Sequence, residues 1–233
     1  MRAAVVLAYR DIGCPHRQAA CAYVLEHVWK SYDIHVCDSG QQPFSRAGSF
    51  NQGALQSDAD VLVFADADVV PEEAAIENAI RHAYVLGTTA YPYREYIRLG
   101  ATATLVLETE HSQATDMMVR ADPRWAEWKQ MNSVGGVFVV RRDLYLEAGG
   151  CDPRFVGWGF EDVAWSAVSA TLLGDHVRED GSLLHLWHPW DPHSGPAEKT
   201  GAEREVYAAN VSLCDRYTAA IGNAEAIRAV RAA

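Results

Sequence analysis

Residues Val61-Leu62-Val63-Phe64-Ala65-Asp66-Ala67-Asp68-Val69-Val70-Pro71 decide how the chain is read. An apolar run of strand length ends in two carboxylates, Asp66 and Asp68, with one residue between them. Side chains alternate along an extended strand, so residues i and i+2 face the same way. Both carboxylates therefore address one point at the carboxyl end of a buried strand. Two anions held that close repel unless positive charge stands between them. A divalent cation with oxygen ligands, arriving with a phosphate-bearing substrate, meets that need. A structural alternative is equally open here. Asp66 and Asp68 could cap a helix entered at Pro71, since Asp is a favoured N-cap and Pro a favoured first-turn residue.

Working outward, the first half alternates strand-like and helix-like segments. Residues 3–9, 33–38 and 60–66 read as strands; residues 14–31, 46–57 and 71–86 read as helices. That alternation implies an α/β fold, a mainly parallel sheet with helices on its faces. Ligands of such sheets sit beyond the carboxyl ends of the strands, where Asp38 and Asp66 both fall. Residues 88–133 are less regular, with Tyr91, Tyr93, Tyr96, Trp125 and Trp128 clustered and a possible helix over 101–118. Gly135-Gly136 opens a strand to Val140, residues 142–149 form a short helix closed by Gly149-Gly150, and 161–173 form another. Residues 188–201, rich in Pro, His and Gly, read as a loop, and 202–220 as an exposed terminal helix.

The chain has 233 residues, 49% of them apolar, enough to build a core without disulfides. The net charge of -11 argues against bulk binding to nucleic-acid backbones. Five cysteines without a Cys-x-x-Cys pair favour neither a disulfide framework nor a thiolate zinc site, and fit a reducing compartment. No window reaches 18 consecutive apolar residues, so we expect a soluble cytoplasmic protein, bacterial or viral, with no membrane span.

Two further constellations carry chemistry. Gly157-Trp158-Gly159-Phe160-Glu161-Asp162 stands at the start of a helix whose positive end favours the two carboxylates. It reads either as a plain helix start with a buried Trp or as a general base beside an aromatic platform. Leu184-His185-Leu186-Trp187-His188-Pro189 places two imidazoles where a tight turn can bring them to one metal. With nine histidines in the chain, a chance pair is the competing reading.

Together and in this order, these motifs resemble nucleotide-sugar-dependent glycosyltransferases of the GT-A (Rossmann-like) fold. The segment from Gly135-Gly136 through Gly157-Trp158-Gly159-Phe160-Glu161-Asp162 is similar to the carboxyl-terminal signature of the beta-1,4-galactosyltransferases. Polypeptide N-acetylgalactosaminyltransferases and bacterial chondroitin-type polymerases share it in part. The resemblance implies a single domain over 1–233: a nucleotide-binding half over 1–90, an acceptor and metal half over 91–200, and a helical tail over 201–233. It implies Mn2+ (or Mg2+) and a UDP-sugar donor, with Asp68 and His188 as metal ligands, Asp66 near the donor and His185 as a further ligand position. It also implies that Asp38, Arg46, Asn51, Gly135, Gly136 and Trp158 line the donor site, while Glu161 and Asp162 bind the acceptor and take its proton. Phe160 departs from the galactosyltransferase pattern, which has glycine there, and this adds bulk near the acceptor. The expected reaction is inverting transfer of a hexose or N-acetylhexosamine to a glycan, protein or other hydroxyl acceptor, with 188–201 as a lid. The alternatives are a retaining enzyme of the same fold, a metal-dependent nucleotidyltransferase or phosphohydrolase, and a non-catalytic sugar-binding protein.

Overall fold

The computed structural model describes residues 1–110, 125–189 and 201–233. Three apolar runs become the middle of a six-stranded sheet. Strand β1 (Ala3–Ala8) pairs in parallel with β2 (Asp33–Cys37) and β3 (Val61–Asp66). Strand β8 (Val137–Arg141) then runs antiparallel to β3, and β5 (Ala90–Tyr91) and β9 (Val177–Arg178) complete the order β2-β1-β3-β8-β5-β9. The sheet is thus mixed. Val61 through Ala65 are fully buried, as expected of a central strand. Ala8 is level with both Cys37 and Asp66, so the first three strands end at one edge.

The helices expected between these strands are present. Helix α1 (Pro15–Tyr23) runs into a π-helical turn (Val24–Val28), and α2 (Arg46–Gln56) packs on β1 and β2. Helix α3 (Glu73–Leu86) packs on β3, β5 and β8. Its start corrects the sequence reading. Val69–Pro71 is a strand, β4, and the helix begins only at Glu73. Glu72 holds the N-cap position without a side-chain cap, so neither Asp66 nor Asp68 caps this helix. Pro71 is tolerated because β4 is an edge strand.

A second, four-stranded sheet was not foreseen. Its order is β4-β10-β6-β7, with β6 at Glu95–Leu99, β7 at Ala126–Met131 and β10 at Ser182–His185. Helix α4 covers Ala101–Glu110; the remainder of the segment expected to be helical lies outside the described residues. Helix α5 (Arg142–Glu147) and helix α6 (Glu161–Leu172) follow β8. The terminal region holds two helices, α7 (Gly201–Ala219) and α8 (Ala224–Ala232). They are not a detached, solvated tail: Asn210, Cys214, Tyr217 and Ile227 are buried, and both helices pack on α6.

Candidate functional site

The pairing of β4 with β10 brings the first and third motifs together. His185, the last residue of β10, is in register with Val69, the residue after Asp68. The backbone N–H of Leu186 donates to the carbonyl of Asp68 at 2.8 Å, extending the contact by one step. The turn that follows is held from outside. Buried Arg98 donates to the carbonyl of His188 at 2.7 Å and to Glu127 at 2.8 Å. Trp187 donates through its backbone to Thr104 Oγ1 at 2.7 Å and through its indole to Glu127 at 2.8 Å. His185 Nε2 and His188 Nε2 consequently stand 3.7 Å and 3.4 Å from the two oxygens of Asp68.

One ligand atom from each of Asp68, His185 and His188 lies within 4.8 Å of the others. Asp68 Oδ1 is buried without a hydrogen-bond donor, an arrangement that a cation would satisfy. Burial lifts the Asp68 carboxyl, but His185 and His188 outweigh it and the group stays well below the usual carboxylate range. Burial also lowers the His185 imidazole, keeping it in the neutral form that binds metals. A carboxylate oxygen joined by two imidazole nitrogens suits Mn2+ better than Mg2+, which favours an all-oxygen set.

Asp66 is built differently. It accepts a short hydrogen bond from Arg46 Nε, while Arg46 Nη1 donates to Glu161 Oε1 at 3.0 Å. Arg46 occupies the first position of α2, where Ser45 caps the helix by accepting from Gly48 N at 3.0 Å. A cation there opposes the helix dipole, so its place depends on the carboxylates around it. Burial lowers the Arg46 guanidinium, and Asp66, Glu161 and Asp162 more than reverse this. Burial lifts Asp66 to about 6 despite Arg46, with Asp68 adding to the lift. Glu161 is raised for the same reason, burial first, with Asp162 reinforcing it.

The glycine pair joins these groups. The N–H of Asp66 donates to the carbonyl of Gly136 at 2.8 Å. A Cβ on Gly135 would lie 2.6 Å from Asp162 Oδ2, and one on Gly136 would lie 2.6 Å from Leu183. The chain thus passes between the acidic pair and the second sheet only because it lacks side chains here. Asp162 Oδ1 accepts from Val163 N at 2.8 Å, leaving Oδ2 on the Gly135 side. Asp38 stands at the end of β2, gripped by Arg10 through two hydrogen bonds of 2.7 and 2.5 Å.

Two of the expected site residues also carry contacts within the fold. Asn51 is committed to structure: its amide donates to Cys151 O at 2.8 Å and accepts from Tyr145 OH at 2.7 Å, tying α2 to the turn after α5. Trp158 is not buried; it is 49% exposed and stacked on Tyr207 of α7. The expected lid falls largely on residues 190–200, outside the described residues. Sequence reasoning missed Arg10, Arg98 and Glu127. Arg10 was accessible through the strand-end rule, being two residues past β1; Arg98, a lone cation within an apolar strand, was a weaker signal.

A family model described as glycosyltransferase-like family 2 matches residues 22–167. No curated protein matches the chain. Among solved structures, the fold is similar to a mutant Drosophila beta1,4-galactosyltransferase 7 in complex with manganese, UDP-Gal and xylobiose. Identity is 18% and the TM-score 0.50, over 81% of this chain and 72% of that one. It is also similar to GalNAc-T7 with UDP, GalNAc and Mn2+, at 13% identity and TM-score 0.56, over 94% of this chain but 49% of that one. Glucosyl-3-phosphoglycerate synthase from Mycobacterium tuberculosis, in complex with Mn2+, UDP and glucosyl-3-phosphoglycerate, gives 16% and 0.53 over 92% and 80%. At these identities the likenesses establish a shared fold.

Proposed function

The chain belongs to glycosyltransferase-like family 2, and from that premise we propose that it moves a hexose or N-acetylhexosamine from a UDP-sugar to an acceptor hydroxyl with inversion. The observation that carries this reading is the convergence of Asp68, His185 and His188 beside the Arg46-linked carboxylates Asp66 and Glu161. UDP and Mn2+ in the complexes of the three similar structures support the choice of donor and metal.

Asp68, His185 and His188 would hold Mn2+, or Mg2+. When bound, the cation supplies Lewis-acid stabilisation of the departing diphosphate. Arg10, just past β1, and Asp38, just past β2, line the nucleotide side, and Asp66 faces the donor sugar. Asp162 takes the acceptor proton as the acceptor oxygen bonds to the anomeric carbon and the bond to the diphosphate breaks on the opposite face. Geometry favours Asp162 over Glu161 for this step. Glu161 is tied to Arg46, whereas Asp162 is held by one oxygen and presents the other. Glu161 then orients the acceptor.

The acceptor is a glycan, a protein side chain or another hydroxyl compound. Residues 1–90 supply the nucleotide side and residues 91–200 most of the acceptor and metal side. Asp68 crosses that division through β4. All five cysteines are free thiols, which supports a reducing, cytoplasmic setting. Among the described residues, no helix is long and apolar enough to cross a membrane.

The test is UDP release from a panel of UDP-sugars with Mn2+, with and without candidate acceptors. Acceptor-stimulated release with one donor is expected. Asp162→Asn should lower transfer by at least about 100-fold while UDP affinity in calorimetry stays near wild type. A variant retaining a tenth or more of wild-type turnover removes Asp162 from the role of base.

A further inference from the structure

The loop that carries Trp158 follows an unusual backbone path. Gly157 and Gly159 have φ of +68° and +102°, and Phe160 follows at φ +78°. The left-handed region is unfavourable for a residue with a Cβ. Such a conformation persists where its surroundings over-determine it. Here those surroundings are α7, a helix beyond the family-matched region.

Asn210, 2% exposed, donates its amide to the carbonyls of Val156 at 2.9 Å and Trp158 at 3.3 Å. It thereby grips the backbone on both sides of Gly157. Tyr207, one helical turn earlier, stacks on Trp158 with centroids 6.1 Å apart and planes 10° from parallel. The same ring meets Phe160 at 5.4 Å. From the other side, Gly157 N donates to Phe44 O at 2.7 Å. Trp158 nevertheless remains 49% exposed, immediately before Glu161 and Asp162.

We propose that Asn210 and Tyr207 are positioning residues that fix the Trp158 indole beside the acidic pair, as a platform for the apolar face of a ring-shaped sugar acceptor. Acceptor recognition then depends on α7, although α7 contributes no group to the chemistry. The inference rests on the transferase reading. An indole held in one orientation presents a flat apolar surface at low entropic cost. A loosened one must be reordered at each binding event, which weakens acceptor binding more than the chemical step.

Three variants test this. Asn210→Asp keeps the size of the side chain and removes its donor. Tyr207→Ala removes the stack, and Tyr207→Phe preserves it. Acrylamide quenching of Trp158 is isolated by subtracting the same variant carrying Trp158→Phe. Quenching should rise about twofold or more in the first two variants, and exchange of the 157–160 amides should accelerate about tenfold, as expected when a local restraint is lost. With the sugar acceptor that supports most UDP release, KM should rise about fivefold while kcat changes less than about twofold. Tyr207→Phe should behave as wild type. If Asn210→Asp does not fold, Tyr207→Ala carries the test alone. Unchanged quenching and exchange overturn the proposal, as does a loosened Trp158 with acceptor KM unmoved. If no sugar raises UDP release above donor hydrolysis, the transferase reading fails. The clamp on Trp158 is then judged by quenching and exchange alone, which need neither donor nor acceptor.

Discussion

Asp66 ends β3 and Asp68 lies in the turn that leads into β4, and the two stand in opposite surroundings. Asp66 faces the first sheet's helices and is claimed by Arg46, a cation of the protein itself. Asp68 faces the second sheet and meets two imidazoles at distances too long for strong hydrogen bonds. Burial dominates at both, but it lifts Asp66 to about 6 while the histidines hold Asp68 well below the usual range. The difference shows that the two carboxylates are not interchangeable halves of one motif. One closes an internal ion-pair network linking α2 to α6; the other stands among imidazoles, with no arginine of its own among the described residues. Removing a residue from the first cluster should therefore register in stability, and from the second in metal binding and turnover.

The largest effect is expected at Arg46. Arg46→Met leaves the partly buried Asp66 and Glu161 without their shared partner, a loss that approaches the roughly 3–5 kcal/mol of breaking a fully buried network. Urea denaturation at neutral pH measures it. A loss below about 1 kcal/mol, the scale of an exposed pair, would erase the contrast between the two clusters. Asp68→Asn should do the reverse. It removes a depressed carboxylate but leaves no pair of carboxylates without a partner, so the denaturation midpoint should fall less than in Arg46→Met. Mn2+ binding by calorimetry should vanish, and turnover should fall by about 100- to 1,000-fold, the scale of losing one transition-state charge stabiliser. Retained Mn2+ affinity would show that Asp68 is not a ligand.

The two clusters were also unequally legible in the sequence. The apolar runs of β1 and β3 and the intervening helical spacing make the first sheet readable, because each strand is a continuous buried segment. Two strands of the second sheet lack any such signal. Its β4 has three residues, and its β7, Ala126–Met131, is solvent-exposed along almost its whole length. Pairing with β10 and β6 makes these strands, and pairing is a tertiary fact that local periodicity does not encode. The same limit applies within the site. Asp66, Asp68, Glu161 and Asp162 are visible as acidic pairs at element ends. The convergence of Asp68 with His185 needed the β4–β10 register to be explained. The contacts of Asn51 could not be read from its place in α2, because its partners Tyr145 and Cys151 are about a hundred positions away.

A smaller effect should separate geometry from charge. In Gly135→Ala the added Cβ would fall 2.6 Å from Asp162 Oδ2. That oxygen ends a rotatable side chain, so the carboxylate can swing away while the backbone stays in place. Stability should change by less than about 1 kcal/mol, as for a substitution that creates neither a cavity nor an unpaired charge. Turnover should fall roughly tenfold to a hundredfold, the scale of a misplaced catalytic group. Mn2+ affinity should be untouched, because the displacement is confined to the acidic pair. A matching loss of Mn2+ affinity would mean that the acidic pair and the metal cluster are mechanically coupled through the Gly135–Gly136 backbone.

Asp152 supplies the reference carboxylate, and the smallest effect. It is more deeply buried than Asp66 and, like it, paired with an arginine, but among the described residues it shares that arginine with no other carboxylate. Arg154 Nε donates to both of its oxygens at 3.0 Å, and Tyr217 of α7 donates to Oδ2 at 2.6 Å. Burial lifts Asp152, but these hydrogen bonds outweigh it and the group titrates below the usual carboxylate value. A carboxylate depressed on folding contributes stability that is fully present above its unfolded value, near 3.9, and is lost as pH falls through the folded value. Asp66, raised on folding, has the opposite sign: its protonated form is favoured in the folded chain, so its contribution to stability grows as pH falls from about 6. Stability measured by denaturation from pH 7 down to pH 3 should therefore contain two opposed slopes, with the Asp152 loss confined to the acid end. Asp152→Asn should remove that acid loss by an amount on the order of 1 kcal/mol, modest because Arg154 is partly exposed and the pair is screened. The slope above pH 5 should remain. If the variant instead flattens the profile above pH 5, the assignment of that region to Asp66 is wrong, and the distinction between a shared and an unshared arginine fails with it.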